Sequence, residues 1–490
     1  MKNKIYLIIL ILLSFLVCMK LSKPQFQNPQ KESKNGDFLA IYVDDKISDS
    51  FPTSSEYAGT IICRNSSGTV NTTGKFVWDS SNSKWNIEVS DIDNGAATCN
   101  AYFYSLADYT LKSVPNNWMS AKQGSLLYSI KKDNDENIKT YQGNPVTNVA
   151  VKASSSTEAV LASSTDDYGT TLYFRGAVTN NFVEFAGMCW RIVRITGDGS
   201  IKLVLYNRND NGSLTPCSDS GGTGKAFISA TGTAFNSLST ATTTGAVANY
   251  AGLMYGTTYS SSDYDIIHAN NIDSTILVTL KSWYDDKLRN YNDLLSDVIW
   301  CNDREYGTLN GRNQAFKNRE RLIGFNSGIY PSFICAENSN SEKKLFKLTN
   351  NDIQNGNGKL KGSNGVGSKE YKIGLLTSDE IDFAGAKAGT VNVTGNTTFY
   401  LYANTSATWW TMSPAHYTPA SYQGVRMITV SDDGEICIAF DTASTGKGCY
   451  ASFVRDTAGV RPSIALKPTV EISNVEDADG TATHPYKIRI

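Results

Sequence analysis

Several stretches of the chain alternate apolar and polar residues with a period of two, and that period predicts strands with one buried face. Trp85, Ile87 and Val89 alternate with Asn86 and Glu88, and Cys99, Ala101 and Phe103 alternate with Asn100 and Tyr102. The Ser- and Asn-rich residues 79–84 read as a turn. Residues 190–196 and 200–206 form two more apolar runs, joined across Gly197-Asp198-Gly199, and a D-G turn between such runs predicts a hairpin. The period then changes. Leu277, Leu280, Tyr284, Leu288, Tyr291 and Leu295 recur at steps of three and four, which predicts a helix capped by Asp273 or Ser274. Thr377 and Glu380 have capping-box spacing and predict a second, short helix.

Near the C-terminus the apolar Trp409-Trp410-Thr411-Met412 is followed by Ser413-Pro414, and proline ends a ladder because it donates no hydrogen bond. Residues 425–430 and 435–440 alternate across Asp432-Asp433-Gly434, and residues 458–466 supply a closing strand. These segments are expected to form one antiparallel sheet. Adjacent strand residues point to opposite faces. One of Trp409 and Trp410 is therefore expected in the core and the other at the surface, near Tyr417 and Tyr422. These four residues are the candidate ligand contacts.

The expected fold class is mainly β with an α+β head. Residues 1–20 read as a signal anchor. Lys2 and Lys4 precede an apolar run over residues 5–19, Lys20 and Lys23 follow it, and no small-x-small cleavage site is present. Positive flanks resist translocation, so the expected location is the cell membrane, crossed once, with the bulk of the chain extracellular. Residues 21–36 read as a stalk and 37–106 as a small β-sandwich, in which the order Cys63, Trp85, Cys99 resembles an immunoglobulin-like domain. Residues 107–169 read as a linker region, with a Ser/Ala/Thr-rich tract at 154–164. A larger α+β domain spans 170–468, and 469–490 is a C-terminal tail.

Charge narrows the partners. The net charge is −2 and charged residues make up only 19% of the 490, and nothing in the sequence resembles a polybasic surface, so no nucleic-acid partner is expected. Nine cysteines include Cys18 in the apolar run; the other eight allow 105 pairings. Each has a near neighbour in sequence, which favours Cys63–Cys99, Cys189–Cys217, Cys301–Cys335 and Cys437–Cys449 in an oxidising compartment. With no C-x-x-C and only three His, no zinc site is expected, and no cofactor. Asp219-Ser220-Gly221-Gly222 echoes a trypsin-like nucleophile segment but has no His upstream of it. Residues 207–212 have the rhythm of a calcium loop without its first Asp or closing Glu.

A resemblance covers the large domain. It is carried by Phe182-Val183-Glu184-Phe185-Ala186-Gly187-Met188-Cys189-Trp190-Arg191-Ile192, Leu253-Met254-Tyr255-Gly256, His268-Ala269-Asn270 leading to Asp273-Ser274-Thr275-Ile276, and Trp283-Tyr284. It continues through Cys301-Asn302-Asp303-Arg304, Leu376-Thr377-Ser378-Asp379-Glu380, Trp409-Trp410-Thr411-Met412-Ser413-Pro414 and Gly459-Val460-Arg461-Pro462. In this order the segments resemble an uncharacterised family of exported proteins of low-GC Gram-positive bacteria. The terminal block is similar to C-type-lectin-like and formylglycine-generating-enzyme-like domains. The E-P-N and Q-P-D triplets of calcium-dependent lectins and the cysteine pair of the enzymes have no counterpart here. The resemblance implies a surface role. The expected function is cell-surface recognition or adhesion without catalysis, with a surface glycan or protein as ligand. The alternatives are an extracellular hydrolase acting on glycans or cell wall, and a structural surface-layer or pilus-like subunit.

Overall fold

The structure is a computed structural model. It describes residues 39–43, 46–55, 57–65, 70–89, 96–105, 121–134, 138–139, 158–219, 225–228, 231–237, 250–256, 268, 270, 272–310, 313–323, 330–336, 346–348, 371–388, 397–402, 407–417, 424–439 and 449–490. The expected signal anchor, the stalk and Tyr422 lie outside them. The chain is mainly β and divides into two units, residues 1–111 and 112–490. Among the described residues no helix is long and apolar enough to cross a membrane.

The first unit contains strands β1 (Leu39–Val43), β2 (Lys46–Ser48), β3 (Tyr57–Asn65), β4 (Val70–Asp79), β5 (Lys84–Val89) and β6 (Ala96–Ser105). They form one sheet in the order β2-β1-β6-β3-β4-β5, with β1 parallel to β6 and the other pairs antiparallel. Alternate residues build one apolar face of Ile41, Ile61, Phe76, Ala101 and Phe103, against which Phe51 and Trp85 pack. Gly59 lies opposite Phe103 and Phe76, and a Cβ there would come within 2.5 Å of the Phe103 ring. The bare backbone is what lets that ring lie across the sheet. The expectation of an immunoglobulin-like sandwich is corrected here. Cys63 and Cys99 are direct partners on the adjacent strands β3 and β6, and Cys99 is disulfide-bonded. The two cysteines therefore lie within one sheet, where an immunoglobulin bridge joins two. Trp85 packs against this apolar face while only partly buried, donating Nε1–H to the Pro52 carbonyl at 2.7 Å.

The second unit holds the main core. Helix α1 (Leu126–Asn134) buries Leu126, Leu127 and Ile130 in it. Strands β7 (Ile138–Lys139), β8 (Ala159–Asp166), β9 (Gly169–Gly176), β10 (Phe182–Phe185), β11 (Met188–Ile195) and β12 (Ile201–Asn207) follow. One sheet runs Ser463–Leu466, β12, β11, β9, β8, β7, with β10 also pairing β11. All eight residues of β11 are buried, so both faces of the sheet are covered. The expected hairpin is present as β11–β12.

Helix α2 (Thr275–Lys287) is capped by Ser274, whose side chain accepts from the Leu277 amide. The three- and four-residue spacing continues past it, but residues 289–294 tighten to a 3-10 helix, so Tyr291 and Leu295 lie beyond α2. Helix α3 (Lys317–Ile323) was not foreseen. Helix α4 (Ser378–Phe383) opens with a complete capping box of Thr377 and Glu380. Bridges Cys189–Cys217, Cys301–Cys335 and Cys437–Cys449 are all formed.

Three expectations fail in this unit. The linker region contains α1 and β8, and β8 pairs along its whole length with β9. The tail is folded: Tyr486–Lys487 pairs with β10, Val470, Ile472, Tyr486 and Ile488 are buried, and the Tyr486 hydroxyl donates to Asp133 on α1 at 2.8 Å. The C-terminal segments do not make one sheet. Trp409–Tyr417, Arg426–Val430 and Glu435–Cys437 are neighbours as expected, but Ser463–Leu466 joins β12 in the other sheet. The chain crosses between the sheets just before that strand. Trp410 donates its amide to the Gly459 carbonyl, and Leu205 on β12 donates to Pro462. Gly459 permits the crossing, because a Cβ there would meet the Phe227 ring at 2.6 Å.

Candidate functional site

The expected ligand contacts are not at a surface. Trp409 is 2% exposed and Trp410 0%. Both faces of their strand are covered. The Trp410 indole donates to the Thr233 carbonyl at 2.7 Å and meets Phe235 edge-on, while Arg461 lies 5.3 Å from the Trp409 ring. Tyr417 packs on Tyr306 and Phe316. The expectation of one exposed Trp assumed a sheet with one covered face.

A different concavity carries the charge. A small pit in the second unit is lined by Asp166, Asp167, Tyr168, Arg194, Lys202, Arg321, Ser332, Asp379 and Glu380, among others. Its floor starts with an awkward pair. Arg194 on β11 and Lys202 on β12 are direct cross-strand partners, just past a bulge between Ile192 and Arg194. Like charges in that position repel. Glu380 on α4 resolves the conflict: its Oε1 accepts from Arg194 Nε at 3.0 Å and from Lys202 Nζ at 2.6 Å. Its Oε2 accepts from the Thr377 amide at 3.0 Å, so the capping-box carboxylate is also the counterion of two buried cations. Arg194 also donates to Asp166 at 2.5 Å, and Asp166 accepts from the amides of Tyr168 and Gly197.

Asp379, the next residue on α4, repeats the arrangement. Arg321 on α3 bridges it, at 2.7 Å, to Asp303, at 2.9 Å. The Ser332 amide also donates to Asp379 at 3.0 Å. Phe333 beside it stacks on Phe383 and lies 5.1 Å from the Arg194 guanidinium. The Cys301–Cys335 bridge ties this segment down, and Asp167 takes the Cys335 amide and the Lys347 ammonium, each at 2.9 Å. Each of these ionic groups is thus held by partners from at least one other element. Across the network the carboxylates exceed the cations by one.

Burial would raise the Glu380 carboxyl, but Lys202 and Arg194 outweigh it and hold it down at about 2. Burial lowers the Lys202 ammonium to about 8, against the pull of Glu380. Burial raises Asp166, opposed by Arg194 and the two amides. The Glu380 shift fixes a sign. Its folded value lies below the ordinary 4.5, so its stabilisation is present above pH 4.5 and is lost as pH falls toward 2. The raised Asp166 works in the opposite sense. Urea unfolding followed between pH 6 and pH 3 should show stability dropping below about pH 4.5, with about 2 kcal/mol lost from Glu380 by pH 3. The Glu380→Gln variant should lack most of that acid dependence.

Of these residues, sequence reading gave a role only to Thr377 and Glu380, as a capping box, and to Cys301 and Cys335, as a bridge; Asp303 and Asp379 stood in the segments that carry the resemblance without a role. One signal was available: Arg191 and Arg194 stand inside an otherwise apolar strand, and a charge in such a run needs a buried partner. No family model, curated protein or solved structure matches the chain.

Proposed function

We propose that the chain is a cell-surface recognition or adhesion protein, held at the membrane by its N-terminal apolar segment, and that the pit receives its ligand. The observation that carries this reading is the pit's construction. Its charged groups are locked by ion pairs and a disulfide-tied segment, so little side-chain entropy is lost when a ligand docks. The excess carboxylate favours a neutral, hydroxyl-rich or cationic ligand over an anion. A surface glycan or a basic protein segment fits that description. The bridged cysteines suit an oxidising extracellular location. The resemblance of the large domain to exported, lectin-like proteins points the same way.

A second reading, an extracellular glycan hydrolase, draws on one feature. Asp166 and Glu380 share Arg194, and their ionisations are pushed in opposite directions. The test is an array of glycans and peptides probed with the purified full-length chain. Retention of neutral or cationic ligands, unchanged on prolonged incubation, is the expected result. Cleavage of a retained glycan would support the hydrolase, and retention of nothing would overturn both readings.

A further inference from the structure

Two further arginines, neither of them lining the pit, are buried in the second unit with no carboxylate hydrogen-bonded to them. Arg191 is 5% exposed and Arg461 is 0% exposed. Arg191 donates Nε–H to the Asn181 amide oxygen and Nη2–H to the Val178 carbonyl, both at 2.6 Å. Arg461 donates Nε–H to the Leu205 carbonyl at 2.8 Å and Nη1–H to the Leu401 carbonyl at 2.6 Å. Every one of these acceptors is neutral.

The two cations share their surroundings. Arg191 lies 5.3 Å from the Tyr400 ring and 5.7 Å from the Tyr206 ring, and Arg461 is bonded to the residues next to both, Leu401 and Leu205. Two buried donors there are unused: Arg461 Nη2 and the Tyr400 hydroxyl have no hydrogen-bond partner. Burial pushes Arg191 down to about 9, with Arg461 contributing repulsion, and pushes Arg461 down to about 10.

A buried charge without a counterion is among the most costly features a fold can carry. Two of one sign beside two unused donors are the elements of an anion site. We infer that Arg191, Arg461 and Tyr400 bind a small monovalent anion, a halide or a carboxylate, in the core of the second unit. Arg461 Nη2 and the Tyr400 hydroxyl would donate to it, and its charge would neutralise one of the two guanidiniums. The anion would serve folding, and none of its three ligands lines the pit.

The test uses the full-length chain refolded from denaturant in sodium gluconate, so that no small anion is carried over. Chloride and formate are then titrated in separately at constant ionic strength. The melting temperature should rise saturably, by about 2–4 °C, with at least one of them. A response to chloride alone marks a halide site and a response to formate alone a carboxylate site; either supports the assignment. Arg461→Met should abolish the rise. Should that variant fail to fold, Tyr400→Phe keeps both cations and the ring, and it should weaken the apparent affinity at least several-fold. Equal melting temperatures in gluconate, chloride and formate, or a Tyr400→Phe chain with an unchanged response, would overturn the inference.

Discussion

Glu380→Ala should destabilise the second unit by about 3–5 kcal/mol, a cost expected when one partner of a buried ion pair is removed. Two cations lose their shared acceptor. Lys202 is 1% exposed and Arg194 6%, so little water reaches them to replace the lost carboxylate. The repulsion between these cross-strand partners is then unopposed. The capping contribution is smaller, about 1 kcal/mol, and the two can be separated. Glu380→Gln keeps an oxygen for the Thr377 amide but no charge, so it should cost nearly as much as alanine. Adding Lys202→Met to Glu380→Ala should recover part of the loss, because one stranded cation is gone. Urea unfolding measures all three. A loss below about 1 kcal/mol for Glu380→Ala would mean that the network is hydrated.

Trp410→Ala should cost a comparable amount, about 3–5 kcal/mol, through the cavity it leaves. The side chain is fully buried, touches Phe235 edge-on and donates to the Thr233 carbonyl. Trp410→Phe fills much of the space but leaves that carbonyl without its donor, so it should cost about 1–3 kcal/mol. Thermal unfolding ranks the variants. A Trp410→Ala chain with an unaltered melting temperature and impaired ligand binding would restore Trp410 as a ligand contact and argue against the pit.

Much of the second unit was legible where one local rule decides the structure. Alternation across Gly197-Asp198-Gly199 specified the β11–β12 hairpin, and Thr377 with Glu380 specified the start of α4. Near-neighbour pairing of cysteines gave the three bridges seen in this unit. The failures come from long-range packing. Residues 154–164 have a linker's composition, yet Leu161 and Ala162 are buried because β9 lies alongside. Tyr486 pairs with Val183, some three hundred positions away, and nothing local announces that. The pit was illegible for the same reason. Asp166, Arg194, Lys202, Arg321 and Asp379 come from β8, β11, β12, α3 and α4, and no spacing along the chain brings them together. The two tryptophans misled because the alternation rule gives the face of a strand but not what covers it.

Obstruction of the pit's mouth tests most directly whether ligand docks there. Ser332 lines the pit and is only partly buried, and its side chain takes part in one local contact, accepting from the Ile334 amide. Ser332→Trp should therefore fill the opening without dismantling the ion network beneath it. Titration calorimetry with a ligand retained on the array should show binding to the wild-type chain and a loss of at least tenfold in affinity for Ser332→Trp, with melting temperatures within a few degrees. Equal affinities in the two chains would contradict the assignment of the pit as the binding site.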